Sequence, residues 1–208
     1  MHAPVIVTLL TLLVTIGCAE NLDPASPAGA MNQLRDAVMA KDMPKIRASC
    51  SSATGEKLAK LHGILKTQKA QISGHYPADH QATAYAIIPK EILDAPDQEA
   101  LFIALITPQL EALETGEGLH YGMSANGPIQ KGDGQATVST QSKESIGFVQ
   151  EDGLWKTTIF ERQLDQNIER AELNGRSLTE NLKVLEELKR RAAKKAGTAA
   201  TAASTASP

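Results

Sequence analysis

Two imidazoles and a carboxylate fall within six residues of one another in His75-Tyr-Pro-Ala-Asp79-His80. Such a set could ligate a divalent metal through nitrogen and oxygen. It could also move a proton on a bound substrate. The spacing matches no standard metal pattern, and Pro77 predicts a loop, so the plainer expectation is a solvated turn. His62 sits beside an apolar helical stripe and is expected at the edge of the core. Tyr121 is the one phenol expected to point into a sheet interior; with His75, Asp79 and His80 it completes the set from which a catalytic site could be drawn. Gly132-Asp133-Gly134 is too short to cradle a phosphate and precedes no helix. No catalytic residue, cofactor or metal centre follows from these spacings, and the chain is expected not to be an enzyme.

Cys18 has a different chemistry. From Val5 to Gly17 the chain runs through thirteen mostly apolar residues, and small residues surround the cysteine. A membrane-spanning helix needs about 20 apolar residues, whereas the apolar region of an export signal needs about 7–15. Thr15-Ile16-Gly17-Cys18 resembles a bacterial lipobox, with Thr15 where a large aliphatic residue is usual. The resemblance implies cleavage before Cys18 and its acylation. Cleavage after Ala19 is the competing route and would give a soluble secreted protein. Export, with anchoring in the periplasm or on the cell surface, is the expected location. The membrane, through the N-terminal lipid, is one expected partner; an envelope protein or a small ligand is the other.

The chain has 208 residues and a net charge of −3, too small to make nucleic acid an obligate partner. Aromatic residues make up 3% of it, so the core must be largely aliphatic. The second of its two cysteines, Cys50, has no intrachain partner by either cleavage route and reads as a small apolar residue on a helix.

The elements that would position these residues follow from periodicity. Residues 1–18 read as the signal and 19–26 as a tether. Ser26-Pro27 starts a helix bearing Met31, Leu34 and Val38. Asp42 caps a second piece, and Thr54 opens a third with Leu58, Leu61 and Leu65 on one face. Gln81 to Ile88 suits a strand or a helix. Asp97 caps a further helix, with Pro108 implying a kink. From Gly118 the period changes to two. Leu119, Tyr121, Met123, Val138, Trp155, Thr157 and Ile159 are expected inside an antiparallel sheet that ends in a hairpin at Asp152-Gly153. Helices follow over 162–196, one ending near Asn174-Gly175 and one opened by the capping box Ser177-Leu-Thr-Glu180. The second carries Leu178, Leu182, Leu185 and Leu188, with Glu186–Arg190 and Glu187–Arg191 as expected ion pairs. Its basic run, Lys189, Arg190, Arg191, Lys194 and Lys195, is a solvated helix end or a contact for anionic lipid, envelope polymer or an acidic partner. Residues 197–208 are expected to be disordered.

The predicted fold class is therefore α+β: N-terminal helices packed on a curved antiparallel sheet, followed by C-terminal helices. The final hairpin, Gly147-Phe-Val-Gln-Glu-Asp-Gly-Leu-Trp-Lys156, resembles exported lipoproteins of the nuclear-transport-factor-two-like superfamily, which are cone-shaped, cystatin-like α+β proteins. The resemblance covers 27–161 and implies a sheet wrapped on helices, often around a pocket. Relatives of the ketosteroid-isomerase and polyketide-cyclase type place an Asp or His in that pocket. Here the alternation sends His120 outward and no carboxylate inward. A non-catalytic binding domain is the leading expectation. A pocket enzyme and an interaction module acting through the C-terminal helices are the alternatives.

Overall fold

The computed structural model describes residues 25–114, 129–140 and 145–204. The elements in chain order are α1 (Pro27–Met39), α2 (Met43–Ala48), α3 (Ser52–His75), α4 (Ala78–Tyr85), α5 (Lys90–Leu93), α6 (Gln98–Glu114), β1 (Gln130–Gly132), β2 (Gln135–Ser139), β3 (Ser145–Glu151), β4 (Leu154–Thr157) and α7 (Glu161–Ser204). The fold is α+β. Cys18, Leu119, Tyr121 and Met123 lie outside the described residues.

The helix starts follow local chemistry. The Ser26 hydroxyl accepts from Gly29 N–H (3.0 Å), with Pro27 in the first turn, where its missing N–H costs nothing. Asp42 caps α2 through Lys45 N–H (3.1 Å), and Asp97 accepts from Ala100 N–H (2.8 Å) ahead of α6. One start moves: α3 begins at Ser52, not Thr54, because the Ser51 hydroxyl accepts from Thr54 N–H (3.2 Å). It ends at His75, since Tyr76 precedes Pro77 and is pushed to extended backbone. Gln81 to Ile88, open between strand and helix from its sequence, is helical as far as Tyr85, the last residue of α4, whose Ala84 is buried. Pro108 lies within α6, and the Gln109 amide donates to Leu105 O (2.7 Å) beside it.

The strands form an antiparallel meander in the order β1-β2-β3-β4. Asp152 (φ 49°) and Gly153 (φ 80°) both take left-handed backbone, as a tight two-residue hairpin turn requires. One face buries Ala136, Val138, Ile146, Phe148 and Trp155 against Ala30 and Met31 of α1. Thr140 and Thr157 extend that face. Ile159, expected on the same face, is 40% exposed, because β4 ends at Thr157 and the alternation ends with it. Cys50, expected on a helix, instead lies between α2 and α3. It bridges to Thr157 at the edge of β4, where Thr157 N–H donates to Ser49 O (2.8 Å) and Ser51 N–H to Thr157 O (3.0 Å).

The largest departure is α7. Where two helices and a disordered tail were expected, one helix of 44 residues runs from Glu161 to Ser204. Asn174-Gly175 does not stop it. A glycine inside a helix costs only about 1 kcal/mol, and α3 supplies a surface on both sides of the site. Ala171 and Leu178 are buried there, and a Cβ at Gly175 would sit 3.1 Å from the Gln68 amide nitrogen. The two helices run parallel. Ser51 Oγ donates to Glu161 (2.6 Å), Lys57 Nζ to Asp165 (2.7 Å), Gln71 to Thr179 (3.1 Å) and Tyr76 OH to Leu178 O (2.7 Å). Nor is this helix an appendage to 27–161. Leu164, Ile168 and Ala171 share one core with Leu34, Leu58, Leu101, Phe102 and Phe160. Ile72, Tyr76, Ala84 and Leu178 make a smaller cluster, with Leu182 and Leu185 against it. From Glu186 to Ala196 every side chain is exposed.

Candidate functional site

The sequence-predicted polar cluster does not assemble into a site. His75 ends α3, while Asp79 and His80 lie in the first turn of α4, so the segment is a helix-to-helix junction rather than a free loop. Asp79 and His80 are 78% and 50% exposed, and His80 Nε2 is 3.7 Å from Asp79 Oδ2. None of the three lines a groove described below. Among the described residues, no group of three or more His, Cys, Asp and Glu could hold a metal ion. His62 sits at the core boundary, with Nε2 3.2 Å from Ala95 O.

A groove of about 670 Å³ opens between α1, α2 and β4. Its α1 wall is Ala30, Gln33, Asp36, Ala37 and Ala40; Ala48 and Ser49 close the α2 side, and Leu154, Trp155 and Lys156 the β4 side. Alanines recur along α1 where larger side chains would fill the space; opposite them stand Trp155, buried in the sheet core, and Leu154, 39% exposed. The rim is charged. Lys156 Nζ donates to Ala48 O (2.7 Å) across the groove end, and Lys45 Nζ pairs with Asp42 at 2.8 Å. That pair raises the Lys45 ammonium and lowers the Asp42 carboxyl from their ordinary pKa values, chiefly through the shared hydrogen bond. The hydroxyl of Ser49 donates to Lys45 O (2.8 Å). Asp36, the carboxylate of the lining, faces Arg35 at 3.2 Å and is half exposed. An apolar wall with two ammonium groups at its rim suits holding a small amphipathic molecule or a chain segment. Sequence reading missed this site because alanine has no chemical label; the inward placement of Trp155 was the one available signal.

A second, shallower furrow of about 920 Å³ follows the seam of α3 and α7 past Gly63, Thr67, Gln68, Gly175 and Thr179. Among its charges Lys60 pairs with Glu172 (2.9 Å). Gln68 is buried and donates to Ala171 O, and its Oε1 finds no hydrogen-bond partner.

Cys50 is buried, and its thiol lies 3.2 Å from Ile46 O. Burial pushes the thiol up from 9.0 to about 12, against the opposing pull of Arg47 and Lys156. A group raised on folding favours the folded state fully below its unfolded value. This contribution is therefore complete below about pH 9 and is lost as the pH rises from about 9 to about 12. In the native chain at pH 8, Cys50 is expected to stay unmodified by iodoacetamide over hours and to react on unfolding in urea. Mass spectrometry reads this directly, and labelling at the rate of a free thiol would contradict it.

The five cations Lys189, Arg190, Arg191, Lys194 and Lys195 are brought together, exposed, on the uncovered part of α7. Of the two expected ion pairs there, Glu187–Arg191 forms. Exposed apolar side chains accompany them: Leu173 is 50% exposed, Val184 56% and Leu188 55%. Among the described residues no helix is long and apolar enough to cross a membrane. Comparison with protein-family models, with curated proteins and with solved structures returns no match for this chain.

Proposed function

We propose that this chain is an exported, lipid-anchored protein of the bacterial envelope, whose α+β domain binds a ligand or partner without catalysing a reaction on it. The groove beside Trp155 carries the binding part of this reading, because it combines an apolar wall with a cationic rim. Its one carboxylate, Asp36, sits in the open beside Arg35, which favours binding over proton transfer. The residues from Val5 to Cys18 support export and acylation, and the polar stretch before Ser26 serves as the tether. Kinship with the nuclear-transport-factor-two-like superfamily is part of the same proposal, supported by α1 lying on the apolar face of the meander.

The test is the intact mass of the chain recovered from the membrane fraction of a bacterial host. The expected product begins at Cys18 and carries added acyl mass, and Cys18→Ser moves the protein out of that fraction once the membranes are washed in high salt, which removes charge-based contacts. A single acyl chain binds a membrane only marginally, so multiple acylation is expected. An unmodified chain beginning at Glu20 would overturn anchoring and leave a soluble secreted protein.

A second reading, an interaction module acting through the C-terminal helix, is favoured by the uncovered length of α7 beyond Leu185. It differs from the first in placing the contact on that helix rather than in the groove.

A further inference from the structure

We propose that the uncovered end of α7 is a membrane-surface helix that lies on anionic phospholipid, independently of any acylation at Cys18. Three observations carry this. First, the helix leaves the domain: among the described side chains Leu185 is the last packed in the small apolar cluster, and residues 186–196 are exposed throughout. At about 1.5 Å per residue, the stretch from Glu186 to Ser204 reaches roughly 28 Å.

Second, its charge is one-sided. Five of the seven residues 189–195 are cations, and no acid follows Glu187 in the sequence. With a net charge of −3 for the whole chain, the remaining residues sum to −8. The arm is therefore a strong local cation on an acidic protein, which selects an anionic surface.

Third, the residues sort by face. At about 100° per residue, Leu188, Ala192 and Ala196 continue the line of Leu178, Leu182 and Leu185, with Val184 at its border. Arg190, Arg191 and Lys194 fall on the opposite arc. Lys195 borders the apolar line beside Leu188 and Lys189 falls within it, where long stems let an ammonium reach outward while the methylenes stay in contact with apolar surface. This is the arrangement of a helix lying in a lipid interface.

The two features together decide between occupants. An acidic polymer in solution would use the cations but leave Val184 and Leu188 more than half exposed. A second copy laid alongside would bring five cations against five. A bilayer with anionic headgroups satisfies both.

The test uses the full-length chain bearing Cys18→Ser, so that acylation plays no part and failure here leaves the anchoring question untouched. Partition is measured on phosphatidylcholine vesicles with and without one third phosphatidylglycerol. Any affinity of the N-terminal apolar run appears on both. The expected result is at least about ten-fold stronger binding to the anionic vesicles, lost in 1 M salt and lost on changing all five cations to glutamine. Leu188→Trp supplies a second readout: its emission, taken as the difference from the parent with its buried Trp155, should shift to the blue only with anionic vesicles. No preference for the anionic lipid overturns the proposal, as does equal binding by the glutamine variant. Binding without the emission shift overturns it too.

Discussion

Replacing Phe102 by alanine is expected to destabilise the protein by about 3–5 kcal/mol, a large part of the roughly 5–15 kcal/mol that holds a domain folded. Phe102 is fully buried in the core shared by α1, α3, α6 and α7. Its ring meets Phe160 edge to face, with centroids 5.6 Å apart and planes at 86°. The Arg47 guanidinium lies 5.8 Å from the ring centre. Truncation removes the transfer energy of the ring, the aromatic pair and the cation's partner, and it leaves a cavity that four helices would have to close. Urea unfolding followed by circular dichroism measures the loss, which should appear as a lower midpoint at unchanged slope. Ile103→Ala, at the neighbouring and 39% exposed position, is the control and should cost far less. A Phe102→Ala loss below about 1 kcal/mol would mean that the helical core is not closed as described.

Leu178→Asp is expected to cost more than about 4 kcal/mol, through a carboxylate placed without a partner in an apolar cluster. Leu178 is buried with Ile72, Tyr76 and Ala84, and its carbonyl accepts from Tyr76 OH at 2.7 Å. That cluster is small and lies at the far end of the α3–α7 seam from Phe160. The damage should therefore begin locally, with faster amide exchange in α4 and around residues 178–185 while the strands stay protected. The sign of its pH dependence is distinctive. Burial favours the neutral acid, so the penalty should shrink as the pH falls and the new carboxyl takes up a proton. A penalty independent of pH between 7 and about 3 would point to shape rather than charge as its cause.

The features legible in the sequence are those whose causes are local. Ser26-Pro27, Asp42 and Asp97 announce helix starts because a side-chain oxygen within three residues satisfies an orphan N–H. Asp152-Gly153 announces its hairpin because both residues tolerate left-handed backbone. The inward placement of Val138, Trp155 and Thr157 follows from period two. What was not legible depends on partners distant in the chain. Gly175 reads as a stop until α3 is beside it. Ile159 reads as inward until the strand is seen to end at Thr157. Cys50 reads as helical until the edge of β4 captures the backbone around it. The candidate groove was hidden for the same reason: Ala30, Ala37 and Ala40 line a space only because Trp155 stands opposite. The dense cluster at His75, Asp79 and His80 was conspicuous for its residue types, and Pro77 splits it between two helices.

The parallel seam of α3 and α7 also sets an order in time. Leu58, Leu61 and Leu65 leave the ribosome about a hundred residues before Leu164, Ile168 and Ala171, which share their core. The hydrogen bonds that close the seam join positions 102 to 110 residues apart. Until α7 is synthesised, the side of α3 that meets it has no cover, and contacts of such long separation form slowly. The chain therefore completes its core only after nearly all of it has been made. For the export proposed above, that delay would favour passage of an unfolded chain, because the helix that locks the fold is made after α1 to α6 and the four strands.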